Sequence, residues 1–144
     1  MEVHDLGDGE PEVAVVGGIH GDEPCGARAV ERLLDADLAP ERPVRLIVAN
    51  EAALAAGERY LDADLNRAFP GNPDAAAREV RLAAELLDAL AGCTTLAIHS
   101  TQSYAEPFAV IDSMDEVTRA VAPHLPVDAV IQTDAFTEGR LIEH

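Results

Sequence analysis

Lysine and tryptophan are absent from this 144-residue chain, cysteine occurs twice, and three Phe and two Tyr are its whole aromatic content. Ten basic residues, all of them arginine, stand against 27 acids, giving a formal charge of −17. A surface of that sign repels nucleic acid and anionic membranes, so neither is expected as a partner. Its solvated acidity is the expected signature of a halophilic protein in a salt-rich cytoplasm, where screening removes self-repulsion. Cys25 and Cys93 form no Cys-x-x-Cys pair, so no disulfide framework is encoded. The chain does not open on a basic region followed by an apolar stretch, and no apolar run approaches the ~18 residues of a membrane span. A soluble cytoplasmic protein is expected, and a homo-oligomer is compatible with this composition. At 48% hydrophobic with few aromatics, one domain over residues 1–144 with a core of Ala, Val, Leu and Ile is expected.

Residues 1–11 are polar and carry Gly7, Gly9 and Pro11, which reads as a turn before the first strand at 12–18. A helix follows, with Asp22 as N-cap, Pro24 in its first turn and Ala27, Val30, Leu33 and Leu34 at helical spacing. Residues 43–49 make a second strand, and this β-α-β order argues for a parallel pair. Residues 51–57 suit a short helical turn and 58–72 a long irregular loop, of the length that is usually functional or disordered. A longer helix is expected from Asn72-Pro73 to Gly92, with Val80, Ala83, Ala84, Leu87 and Leu90 on one face. Strands at 94–98, 107–111 and 129–131, with a helix near 115–122, complete an α/β pattern. The expected fold is a three-layer α/β/α arrangement around a mostly parallel central sheet.

Chemistry gathers where strands end, as open α/β sheets favour. Gly17-Gly18-Ile19-His20-Gly21-Asp22-Glu23-Pro24 lies between the first strand and its helix, so a tight turn brings the His20 imidazole and the Glu23 carboxylate together. Zinc accepts that pair and needs a third protein ligand to be catalytic. His99, delivered at the end of the 94–98 strand, is the candidate. Each residue alone has a bland reading, as a hydrogen-bonded strand-end histidine or a first-turn acid. In the 58–72 loop, Arg59 and Arg67 have no periodicity to explain them. They are either surface ion pairs or a carboxylate clamp and a carbonyl-polarising group. Asp62 reads as a structural acid, and Asp64 as either that or a site residue. Cys25 reads poorly as a nucleophile, because its neighbours are better ligands.

Gly18-Ile19-His20-Gly21-Asp22-Glu23, Asn50, Arg59 to Arg67 with Phe69-Pro70-Gly71, and Ile98-His99-Ser100-Thr101 together resemble the succinylglutamate desuccinylase and aspartoacylase family. The match spans most of residues 13–101, and its specific part is the Asp-Leu-Asn-Arg block with an upstream Arg-Tyr. The family is related to the zinc carboxypeptidases, and the resemblance implies their fold. By position it implies one zinc ion held by His20, Glu23 and His99. It further implies Arg59 as the group that polarises the amide carbonyl, Asn66 and Arg67 as ligands of the substrate carboxylate, and Asn50 as an accessory pocket residue. The implied reaction is hydrolysis of an N-acyl amino acid, a small-molecule substrate, to a carboxylic acid and a free amino acid. A peptide-cleaving carboxypeptidase and a non-catalytic zinc or acyl-amino-acid binding module are the alternatives. One departure stands out. The family's general acid/base is a Glu in a Glu-Val-Gly-like strand after the third ligand, and that motif does not occur here. Glu138 and Glu143 lie where it would be approached, outside the expected context. The chain is therefore expected to lack the family's C-terminal β-rich part, or to turn over poorly.

Overall fold

A computed structural model describes residues 1–36, 38–101, 106–133 and 139–144. Its elements are β1 (Glu2–Leu6), β2 (Val13–Gly17), α1 (Pro24–Asp35), β3 (Val44–Val48), α2 (Glu51–Ala56), α3 (Arg78–Leu90), β4 (Thr94–Ile98), β5 (Phe108–Ile111), α4 (Glu116–Val121) and β6 (Ala129–Gln132). Short 3-10 turns cover Leu65–Arg67, Ala122–His124 and Leu141–Glu143.

The main sheet has the order β1-β3-β2-β4, with β2 parallel to both neighbours and β1 antiparallel at the edge. Residues alternate between its faces, as the two-residue strand period requires. Ala14, Val16, Ile47 and Ala49 bury with Leu82, Ala83, Leu86 and Leu90 of α3. Leu46 and Val48 bury with Ala27 and Val30 of α1 on the other side. Helices thus cover both faces, and the expected α/β/α layering is present.

Five local expectations are corrected. Residues 1–11 are not all turn, because Glu2–Leu6 pair with β3 from Glu2↔Val48 to Leu6↔Val44. That strand is mostly exposed and is tied down by backbone pairing and by Arg45, whose Nε and Nη2 each lie 2.7 Å from Asp5. The N-cap of α1 is Glu23 rather than Asp22, and it makes no side-chain cap bond, because its carboxylate is turned into the site below. Helix α3 begins at Arg78 rather than near Asn72, whose Oδ1 instead accepts the Asp74 amide in a local turn, at 2.9 Å. The buried face of α3 is Glu79, Leu82, Ala83, Leu86 and Leu90, one register step from the expected stripe. Finally, β5 and β6 pair with each other in a separate parallel two-stranded sheet.

Candidate metal centre

The turn after β2 exists because glycines let three backbones crowd together. A Cβ on Gly17 would meet the Gly26 carbonyl carbon at 2.2 Å, and one on Gly21 would meet that of Ala53 at 2.1 Å. Without side chains, α1 and α2 close on the turn from two sides. The Glu23 amide donates to the His20 carbonyl at 3.2 Å, and the Gly21 amide to the Arg59 carbonyl at 3.2 Å. The turn and the long loop are thereby joined through backbone. Parallel pairing of β2 with β4 ends at Gly17↔Ile98, which sets His99 beside the same strand end.

His20 Nδ1 lies 2.9 Å from Glu23 Oε1, and His99 Nδ1 lies 3.0 Å from Glu23 Oε2. The two rings are 5.3 Å apart between centroids. One ligand atom from each of His20, Glu23 and His99 falls within 4.8 Å of the others. Two imidazoles and one carboxylate match the donor set and ligand count of a catalytic zinc site. The far nitrogen of His20 is taken by Asp64 Oδ1 at 3.0 Å, the outer carboxylate that orients a ligating histidine. The donor set therefore fits the ion.

Burial pushes the Glu23 carboxyl upward, but the Ser100 amide, which donates to Oε2 at 3.0 Å, and the neighbouring histidines outweigh it and hold it below its ordinary value. Asp64 is likewise raised by burial and lowered further by His20, Arg59 and the Asn66 amide, for a net depression. Burial lowers His99 against the pull of Glu23. The result is anionic carboxylates facing a His99 imidazole that favours the neutral, ligand-competent form.

Arg59 donates through Nη1 to Glu23 Oε1 at 3.0 Å and through Nε to Asp64 Oδ2 at 3.3 Å, so the loop guanidinium is brought to the ligands. Asn66 places its Oδ1 on the Leu141 amide at 3.1 Å. Arg67 is exposed and bonds through Nη1 to the Asn66 carbonyl at 2.6 Å. Asn50 is fully buried, with Nδ2 3.3 Å from Glu79 and Oδ1 3.3 Å from Arg78 Nη1. Glu143 accepts from the Gly139 amide at 2.9 Å and pairs with Arg140 Nε at 3.2 Å. Glu138 lies outside the described residues.

Asp64, open between a structural and a site role in the sequence, is brought onto His20 by the fold. Glu79 carries no mark in the hydrophobic pattern of the sequence, because an acid on a core-facing position is invisible to a search for apolar periodicity. Its spacing of three and four from Leu82 and Ala83 was the available signal.

Residues 9–125 match the family described as Succinylglutamate desuccinylase/Aspartoacylase catalytic domain. A succinylglutamate desuccinylase of Burkholderia mallei is 33% identical over 150 residues, covering 100% of this chain and 38% of that protein. A rat N-acyl-aromatic-L-amino acid amidohydrolase (carboxylate-forming) is 45% identical over 60 residues, 40% of this chain and 19% of the relative. Among solved structures, murine aminoacylase 3 aligns at TM-score 0.70 and 28% identity, covering 92% of this chain and 52% of that one. An aspartoacylase family protein of Mesorhizobium loti aligns at TM-score 0.79 over 98% of this chain and 50% of that one; at 21% identity it speaks for the fold. The chain thus spans about half the length of these structures or less than half that of the curated relatives.

Proposed function

The chain belongs to the succinylglutamate desuccinylase/aspartoacylase family, and from that premise we propose that it carries the site of a zinc-dependent amidohydrolase acting on N-acyl amino acids. The observation that carries this reading is the convergence of His20, Glu23 and His99 within 4.8 Å, with Arg59 on the same carboxylate.

Zinc, when bound, supplies Lewis acidity and brings the pKa of a water toward ~7. His20, Glu23 and His99 would hold it, and Asp64 fixes the ring of His20 so that Nδ1 faces inward. Arg59 donates to the amide oxygen as negative charge develops there. Arg67, exposed beside Asn66, takes the carboxylate of the amino acid in a charge-assisted pair, with Asn66 beside it. Asn50 serves as an accessory pocket residue. The net charge of −17 accords with a cytoplasmic, salt-rich setting and a small-molecule partner rather than nucleic acid or membrane. Among the described residues no helix is long and apolar enough to cross a membrane.

A non-catalytic binding module is the second reading, and the observation that favours it is Glu143. Its carboxylate is committed to Gly139 and Arg140, away from the role of proton carrier. A panel of N-acyl amino acids and short peptides, read by calorimetry and by release of free amino acid, separates the readings. Hydrolysis of the acyl amino acids, falling by about 10²–10³ in turnover in Arg59→Ala, is the expected result. Heat without product selects the binding module, peptide cleavage a carboxypeptidase, and neither heat nor product ends the proposal.

A further inference from the structure

The loop that delivers Arg59 and Asp64 has little packing of its own. Tyr60 and Leu61 are 43% and 46% exposed, and the segment belongs to no strand or long helix. Three consecutive amides of this loop, at Leu61, Asp62 and Ala63, nevertheless point inward. Inward-facing amides need an acceptor, and a single residue meets them all. Glu79, fully buried on the core face of α3, accepts Leu61 N at 2.9 Å on Oε1 and Asp62 N and Ala63 N at 3.0 and 3.2 Å on Oε2. Its Oε1 also takes Asn50 Nδ2 at 3.3 Å, which links the end of β3 to the same carboxylate. The stitch runs both ways, since Asp62 Oδ2 accepts the Arg78 amide at the start of α3, at 2.8 Å.

A buried carboxylate is a costly way to fill a helix face that otherwise carries leucine and alanine, and its four donors are what make it tolerable. We propose that Glu79 is the positioning residue of this site: from within the core it clamps the Leu61–Ala63 backbone and thereby sets Arg59, two residues before, and Asp64, one residue after, against Glu23 and His20. The inference rests on the metal-site reading above for its purpose, but its geometry involves no metal. It predicts that disturbing Glu79 is felt at His20, with which it shares no hydrogen bond, through the loop.

The test uses the full chain as wild type, Glu79→Gln, Glu79→Asp and the core control Leu82→Ala. Glutamine offers one acceptor oxygen and turns an NH2 toward the amides, so exchange at residues 61–63 should accelerate at least about tenfold, the loss of one bond to a charged acceptor. The His20 ring-nitrogen NMR shifts should move with it. Zinc affinity, read by competition with a chelator, should fall by about tenfold, the low end for an outer partner of a ligand. Glu79→Asp keeps the charge and should recover part of that affinity. Leu82→Ala should lower the melting temperature while leaving exchange at 61–63, the His20 shifts and zinc affinity at wild-type values. A folded Glu79→Gln protein with wild-type exchange at 61–63 and unmoved His20 shifts overturns the proposal, as does a zinc loss matched by Leu82→Ala. Should Glu79→Gln fail to fold, faster exchange at 61–63 in Glu79→Asp than in Leu82→Ala decides for it, and equal exchange against it. A wild type that takes up no zinc ends the metal reading alone, since exchange and ring shifts in the metal-free protein still decide the role of Glu79.

Discussion

Among the described residues, the parallel β-α-β units β2-α1-β3 and β5-α4-β6 end very differently. In β2-α1-β3, the 12-residue α1 buries Ala27 and Val30, α3 covers the opposite face, and Val16 and Ile47 lose all exposure. In β5-α4-β6, the six-residue α4 has no buried residue, and Phe108, Val110, Val130 and Ile131 remain 38–45% exposed. Local sequence pattern made both units, but burial on both faces distinguishes one of them. The candidate metal centre hangs from the covered unit: His20 and Glu23 leave its first strand, and His99 leaves the strand paired alongside. Ligands that must converge within a few ångströms need strand ends that packing holds still.

The largest effect that would break this contrast is energetic. Leu86→Ala, at a fully buried position of α3, should destabilise the chain by about 2–5 kcal/mol. Ile131→Ala in β6 should cost about 1 kcal/mol or less. Urea denaturation of both variants checks this, and equal losses would erase the distinction between the units.

Acid sharpens it next. Glu79 is raised by burial, but the Leu61 and Asp62 amides, Asn50 and the Ala63 amide outweigh that and hold it below 4.5. A depressed native value means that its stabilisation is present above 4.5 and is lost as pH falls through the lower native value. Asp115, the N-cap of α4, is also depressed, chiefly by the Thr118 amide, but it is exposed on the uncovered unit. Melting temperatures followed downward from pH 4.5 should therefore flatten more in Glu79→Gln than in Asp115→Asn; the reverse order would move the acid-sensitive contact to the wrong unit.

How much of this was legible from residues alone follows the same division. The strand ends that carry His20 and His99 were readable because short apolar runs stop at polar residues, and the Arg59 to Arg67 loop because its cations lacked any periodicity. Strand β1 was not, since an exposed edge strand carries no alternation to detect and is held by backbone pairing. The face of α3 was read one step out, because Glu79 occupies a core position that hydrophobicity cannot mark. Asp64 stayed ambiguous for a different reason: only folding brings its carboxylate to His20, 44 residues away.

The smallest expected effect concerns charge. With a net −17, melting temperature should rise with KCl as screening shortens the range of self-repulsion to ~8–10 Å and below. Burial is not screened, so the gap between Leu86→Ala and Ile131→Ala should persist across the series. A melting temperature that stayed flat or fell with KCl would sink the halophilic reading.

The central claim is that the covered unit holds one zinc through His20, Glu23 and His99. Zinc titration of the metal-free chain by calorimetry, run beside His20→Ala, tests it most directly. The account predicts one zinc per wild-type chain and loss of that site in the variant. No stoichiometric zinc in the wild type, or equal affinity in His20→Ala, would contradict it.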